Sequence, residues 1–317
     1  MTVKAENLPN FYLPYFIKSN EISSTFCSAK WHMVTLHLAQ GETHSCYHPW
    51  THKIPIEEIK ADPGAIHNTT FKKSQRVIML KGGRPSECQY CWNMEDLGKI
   101  SDRVIRNAES WSKDDLDIFK NYTGDENVYP RHVEVSFSTT CNLKCSYCNP
   151  TVSSKWLEEI KQFGGYKTST DFNGYIHKDK PLPFILDKDY NPYIEAFWKW
   201  LPDAYTHMHY LRVTGGEPLL SKHTFSLIKF ISENQNNKLE FIVNSNLCVP
   251  DKNVKDLLEA AKTLLSKKSI RSFKIFASLD SVGAQAEYQR YGLDFDQFKN
   301  NVIKILEEVP ESKVSFT

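Results

Sequence analysis

The sequence predicts an α/β fold for its second half, a parallel sheet with crossover helices, preceded by a small mixed α+β domain. Three observations carry this. From Val133 onward, apolar runs of strand length alternate with amphipathic runs of helix length at roughly 30–40 residues per unit, the rhythm of parallel strands joined by helices. Before residue 127 the segments are short and mixed and lack that rhythm. Between the two, Asn121 to Pro130 is polar and carries Gly and Pro, which sets domains of 1–127 and 128–317.

In the first half, Met33 to Leu38 alternates as a strand does, with Trp31 at its head. Arg76 to Leu80 is expected as a second short strand, ended by Gly82-Gly83-Arg84-Pro85. Ser112 to Phe119 is expected as a capped helix, since Asp114 and Asp115 suit the dipole of its first turn. After Pro130 the expected strands are Val133–Phe137, Tyr210–Val213, Leu239–Val243, Phe273–Ser278 and the beginning of another at Val314–Phe316. The expected helices are Ser153–Phe163, His223–Glu233, Val254–Leu265 and Phe295–Glu308. Gly164 to Pro192, rich in Tyr, Phe, Pro, Asp and Lys, interrupts the alternation as an insertion spanning 164–195. Loops of that length are usually lids or disordered segments. Beyond it, Phe197, Trp198 and Trp200 form the packing face of a further helix.

Composition excludes several classes. The 317 residues carry a formal charge of +1, so bulk electrostatics point neither to nucleic acid nor to an anionic membrane. Met1 to Tyr15 has no basic segment followed by an unbroken apolar one, and no run approaches the ~18 apolar residues of a membrane span. The expected compartment is the cytoplasm, where thiols stay reduced. The eight cysteines, at 27, 46, 88, 91, 141, 145, 148 and 248, are clustered, and in such a compartment clustered cysteines point to metal rather than to disulfides.

Cys141, Cys145 and Cys148 follow the Val133–Phe137 strand after a Ser-Thr-Thr turn. Three thiolates on a four-iron cube leave one iron without a protein ligand, open to a small molecule. The alternative is half of a structural zinc site, with His132 or Cys248 as the remaining ligand by type. Three further strand ends carry Thr214-Gly215-Gly216-Glu217-Pro218, Asn244-Ser245-Asn246 and Ser278-Leu279-Asp280. Ligands gather at the carboxyl ends of parallel strands, so these segments and the cysteines are expected to form one polar rim. The glycines let backbone approach a ligand, and Glu217 supplies a carboxylate for an ammonium group. No phosphate loop is present, because no Lys-Ser/Thr follows the glycines.

Cys141-Asn-Leu-Lys-Cys145-Ser-Tyr147-Cys148 resembles the CxxxCxxC signature of radical S-adenosylmethionine (SAM) enzymes, including the aromatic residue before the third cysteine. Gly215-Gly216-Glu217-Pro218 resembles the family's GGEP segment, and Ser278-Leu-Asp280 its SLD segment. Arg290 matches an arginine that some relatives use for the SAM carboxylate, and Asn244 and Asn246 stand where relatives carry Thr-Asn-Gly, with Leu247 near the place of the glycine. The resemblance runs from Val133 to the end of the sequence. It implies a partial (β/α) barrel in which Cys141, Cys145 and Cys148 hold a [4Fe–4S] cluster as the catalytic metal ligands. SAM would be bound by Tyr147, Gly215, Gly216, Glu217, Pro218, Asn244, Ser278, Asp280 and Arg290. The family barrel has six units and about five are visible, so either a truncation or a minimal barrel is expected.

Cys27, Cys46, Cys88 and Cys91 form a second set: a hairpin brings two cysteines together and a CxxC supplies two more. By residue chemistry this suits zinc and an iron–sulfur cluster about equally. Phe26-Cys27, Trp31, Cys88-Gln-Tyr-Cys91-Trp, Glu95, Gly98, Ser101 and Arg103 resemble the twitch or SPASM-type modules attached to radical SAM cores. The resemblance implies an auxiliary [4Fe–4S] cluster on these four cysteines, in a module that here precedes the barrel. It also implies an electron donor such as flavodoxin or ferredoxin and a peptide, protein or small-molecule substrate. Two other classes remain, a non-catalytic iron–sulfur electron carrier and a zinc-stabilised binding module. Cys248 is expected as a buried thiol, and the histidines, six of them between His32 and His67, as structural or surface groups.

Overall fold

In a computed structural model, which describes residues 8–166 and 182–317, the chain is α/β with a mostly parallel central sheet. It divides into two compact units, and the division is not a single cut. One comprises the chain up to Leu36 with Glu42–Val133 and Glu195–His209; the other comprises His37–Gly41, Glu134–Ile194 and Tyr210–Thr317.

The first unit opens with α1 (Leu13–Ile22), whose Phe16 packs with Leu8 and Val104. Helical turn bonds from Lys30 N to Cys27 O and from Trp31 N to Ser28 O form α2 (Ala29–His32), so Trp31 lies in a helix and not at the head of the strand. Then come β1 (Met33–His37), β2 (Glu42–His44), β3 (His52–Lys53) and α3 (Ile56–Ala61), with β2 and β3 antiparallel.

The strand expected at Arg76–Leu80 is instead the second half of a helix, α4 (Thr70–Leu80). Its buried stripe is Lys72, Gln75, Arg76 and Met79, which has helical spacing but is mostly polar, so hydrophobic periodicity does not register it. Thr69 caps the helix by accepting from Lys72 N. The polar stripe stays buried because it is bonded: Lys72 Nζ meets His67 Nδ1 at 3.0 Å, and Arg76 donates to Lys30 O and Asn68 Oδ1. Next are α5 (Gln89–Asp96) and α6 (Asp102–Asn107). The helix expected at Ser112–Phe119 is a 3₁₀ segment, Lys113–Asn121, broken at Asp115 by non-helical backbone. Phe26, Trp31 and Phe119, all fully buried, meet at ring-centroid distances of 4.9 to 5.5 Å and form an aromatic core.

The second unit contains β4 (His132–Ser136), the short β5 (Lys144–Cys145) and α7 (Ser154–Phe163), capped by Ser153. Residues 167–181 of the expected insertion lie outside the described residues. After it, Phe184 packs against Ala39 and Leu157. The next helix, α8 (Pro192–Tyr205), buries Phe197 and Trp200, and from Glu195 it groups with the first unit. The alternating part follows: β6 (Tyr210–Thr214), α9 (Lys222–Glu233), β7 (Asn236–Ser245), α10 (Asp251–Ser266), β8 (Ile270–Ala277), α11 (Gly283–Gln289), β9 (Arg290–Tyr291), α12 (Phe295–Glu308) and β10 (Lys313–Phe316).

Strand order in this unit is β10-β8-β7-β6-β4, and the β6–β7, β7–β8 and β8–β10 pairs are parallel. Register stacks Leu211, Phe241 and Phe273 in one buried row and Val213, Val243 and Ile275 in the next. Those rows are why the apolar runs become strands of this sheet: each places its side chains in line with the neighbour's. The helices bury apolar stripes at helical spacing, such as Leu227, Ile228 and Ile231 in α9 and Phe298, Val302 and Ile305 in α12. No helix among the described residues is long and apolar enough to cross a membrane.

Candidate active site and metal centres

At one end of β4, β6, β7 and β8 lies a cavity of about 320 Å³. It is lined by Cys141, Cys145, Tyr147 and Cys148, by Gly215, Gly216, Glu217 and Pro218, by Asn244 and Asn246, and by Ser278, Asp280 and Arg290. The structure thus brings together residues from all four strand ends, with Leu279 of the Ser278-Leu279-Asp280 segment outside the lining.

The cysteine loop is held from several sides. Ser154 Oγ accepts from Cys141 N and donates to Cys141 O, Ser153 Oγ donates to Leu143 O, and Trp156 Nε1 donates to Cys145 O at 2.8 Å. The first turn of α7 therefore doubles as the floor of the loop. β5 pairs antiparallel with β9, setting Cys145 opposite Arg290. Before the first cysteine, Ser138 Oγ and Thr140 Oγ1 both donate to Asp187 Oδ2, at 2.6 and 2.7 Å. Asp187 sits at the end of the insertion, and nothing in the sequence pattern marks it.

The glycines serve a close approach, and what they approach is the chain itself. A Cβ on Gly216 would stand 2.2 Å from Thr140 O, and Gly215, at φ +129°, would put one 2.5 Å from Ser136 Oγ. Backbone bonds from Gly216 N to Ser138 O and from Glu217 N to Thr140 O join the two loops. Side chains would force the Gly-Gly-Glu-Pro turn off the cysteine loop.

Glu217 is almost fully buried, and burial pushes its carboxyl up to about 7 while three donors pull it down. Oε1 accepts from Leu219 N and Ser245 Oγ, and Oε2 from Asn246 N at 2.7 Å. Glu217 thereby ties the ends of β6 and β7, with one acceptor position left on Oε2. Asn244 Oδ1 accepts from Arg212 Nε, and Asn246 bonds Asn142 in the cysteine loop. Leu247, fully buried, takes the left-handed backbone at φ 52°.

Asp280 Oδ2 accepts from Tyr147 OH at 3.0 Å and from Arg290 Nε at 2.7 Å. Arg290 lies over the Tyr147 ring and reaches within 3.9 Å of Cys145 Sγ. The Cys148 thiol bonded to Cys145, together with Arg290, lowers Cys145 to about 7; burial raises Cys141 to about 11. Cys248 is a buried free thiol bonded to Asp294 O.

In the first unit, Cys27, Cys46, Cys88 and Cys91 line one cavity, and all are free thiols. Burial raises all four, and Cys27 rises further because Cys46, Cys91 and Cys88 stand beside it. Glu95, Ser101 and Arg103 form a buried network: Arg103 grips both Glu95 oxygens at 2.7 and 2.8 Å, and Ser101 Oγ donates to Oε1. Arg103 Nη1 and Asn107 Nδ2 both donate to Phe26 O, while Asn107 Oδ1 accepts from Ser28 N. Cys27 is thus clamped on both sides by residues some eighty positions away in sequence. Asn107 and the cavity-lining Lys30, Ser45 and Arg106 escape the sequence reading, because none belongs to a cysteine-spacing pattern.

Among the described residues, no three His, Cys, Asp or Glu side chains stand as ligands of a single ion. Each set offers thiols gathered around a cavity. The donor chemistry, soft sulfur with cations nearby (Arg290 in one unit, Lys30, Arg103 and Arg106 in the other), fits a group carrying negative charge. No family model matches this chain, and a search of the curated proteins finds no match.

Proposed function

We propose that the protein is a radical SAM enzyme whose [4Fe–4S] cluster is held by Cys141, Cys145 and Cys148. One observation carries the reading: these cysteines share a cavity with the Gly-Gly-Glu-Pro, Asn-Ser-Asn and Ser-Leu-Asp segments. The strand order supports reading this part of the sheet as the partial (β/α) barrel of that class. The order β10-β8-β7-β6-β4 follows the chain, and strands in such order joined by right-handed crossovers carry their helices on one face, as barrel strands do. Cys141, Cys145 and Cys148 would hold the cluster, which when bound would supply the single electron needed to cleave SAM reductively to methionine and a 5′-deoxyadenosyl radical able to take hydrogen from substrate.

The remaining work falls to the chain. Glu217 offers its last acceptor position to the SAM ammonium, beside the Gly215–Gly216 backbone. Arg290, braced on Asp280, holds positive charge against Cys145 and is the cation for the SAM carboxylate. Tyr147, Asn244 and Ser278 line the space left for the nucleoside, and Pro218 starts the turn that positions Glu217. The substrate class is a peptide, a protein or a small metabolite, and the electron comes from a flavodoxin- or ferredoxin-like donor in a reducing compartment.

On Cys27, Cys46, Cys88 and Cys91 the same reading sets an auxiliary [4Fe–4S] cluster in a twitch-like module. Four thiols in one cavity, with Glu95, Ser101 and Arg103 joined in one network that reaches Phe26, support it.

The test is 5′-deoxyadenosine formation after anaerobic iron–sulfide reconstitution, with dithionite and SAM. The native chain is expected to form the nucleoside, and Cys141→Ala/Cys145→Ala/Cys148→Ala to form none. A colourless native protein loaded with zinc would overturn the reading.

A further inference from the structure

The cavity of the four thiols in the first unit holds more than sulfur. Among the described residues, two of those lining it carry a buried polar atom with no hydrogen-bond partner: Ser45 Oγ and Arg106 Nε. Ser45 is 2 % exposed. The other polar groups in the lining are engaged. Lys30 pairs with Glu87, Arg103 with Glu95, His48 with Asp102, and Trp92 Nε1 with Pro85 O. Arg106 spends its two Nη atoms on Asp102 and Glu109, which leaves Nε.

Both residues line the same cavity as Cys46. Ser45 precedes it in the chain, and the positive charge of Arg106, with that of Lys30, acts on its thiol against burial. A buried donor without an acceptor is costly, and native chains rarely keep one without a use. The acceptors in this lining include the four cysteine sulfurs. A neutral thiol accepts weakly, whereas a thiolate or sulfide accepts as an anion does.

We infer that Ser45 Oγ and Arg106 Nε donate hydrogen bonds to the sulfur atoms of the group held by Cys27, Cys46, Cys88 and Cys91, and that they set its reduction potential. The inference rests on the reading that this group is an iron–sulfur cluster. Donors to the sulfurs stabilise the reduced, more negative state, so they raise the potential. Neither residue is a ligand; both act through the sulfurs they touch.

The experiment is a redox titration of the full chain, reconstituted anaerobically and carrying Cys141→Ala/Cys145→Ala/Cys148→Ala so that one centre remains. Iron and sulfide per chain are measured alongside. Ser45→Ala and Arg106→Gln are each expected to lower the ratio of reduced to oxidised centre at fixed potential by up to about tenfold, a shift of up to about 59 mV for one electron. Iron and sulfide should stay unchanged, and Ser45→Thr, which keeps the hydroxyl, should restore the potential. Unchanged potentials in both variants at full loading would overturn the inference while leaving the cluster in place. If the alanine variant loses its cluster, restoration by Ser45→Thr supports the donor role and loss in both counts against it. The underlying reading fails separately: iron and sulfide that survive Cys88→Ala, or zinc in their stead, would remove the cluster and the inference with it.

Discussion

Glu217 shows how one buried carboxylate joins two loops and records pH. Its carboxyl is pushed up to about 7 by burial, from an ordinary value of 4.5. Below pH 4.5 the folded and unfolded chains are both protonated there, and the group has no effect on stability. Between 4.5 and about 7 the unfolded chain ionises first, so stability falls as pH rises, and the loss levels off above about 7. Glu217→Gln removes this titration, so the stability of wild type relative to the variant is expected to drop across that window. Urea unfolding of the two apoproteins at pH 4, 6 and 8 measures it, and a constant difference would sink the assignment. Gly216 acts by its lack of a side chain. An alanine Cβ would meet Thr140 O at 2.2 Å, so Gly216→Ala is expected to cost about 1–3 kcal/mol and to weaken iron loading of the three-cysteine loop. Unfolding midpoints and iron per chain check both effects. Leu247 holds a left-handed backbone without being a glycine, and its burial, with Asn301 Nδ2 donating to its carbonyl at 2.8 Å, offsets the strain.

At the scale of elements, both cysteine sets are held by structure that lies elsewhere in the chain. The first turn of α7 supports the loop of Cys141, Cys145 and Cys148 through Ser153, Ser154 and Trp156. Ser153 also caps that helix by accepting from Trp156 N, so Ser153→Ala removes a cap and a loop tie together. The expected loss is about 1–2 kcal/mol, read by urea unfolding. In the first unit, α6 presents Asn107 to both sides of Cys27. Asn107→Ala leaves Ser28 N buried without an acceptor, at about 1–3 kcal/mol. Its signature is lower iron at Cys27, Cys46, Cys88 and Cys91 with the other centre retained, seen by comparison with Cys141→Ala/Cys145→Ala/Cys148→Ala.

Across the whole molecule, the second unit was the more legible in sequence. Phe295–Glu308 was expected as a helix and is one, and the five expected strands fall on β4, β6, β7, β8 and β10. Apolar side chains on that unit repeat with the period of the element that buries them, so pattern and packing agree. The first unit is less legible where polar side chains are buried beside its apolar core. α4 buries Lys72, Gln75 and Arg76, and a stripe of charged residues reads as surface until its partners are known. The cysteine positions and the segments at the four strand ends were determined by the sequence alone, because parallel strands end on one side whatever their exact register. Tertiary structure alone decided what those segments do to one another. It turned the two glycines toward the cysteine loop, bound Glu217 to Asn246, set Arg290 beside Cys145, and left Ser45 Oγ and Arg106 Nε, on two residues that line the thiol cavity, without hydrogen-bond partners. Such contacts join residues far apart in the chain, and local spacing carries no record of which donor meets which acceptor.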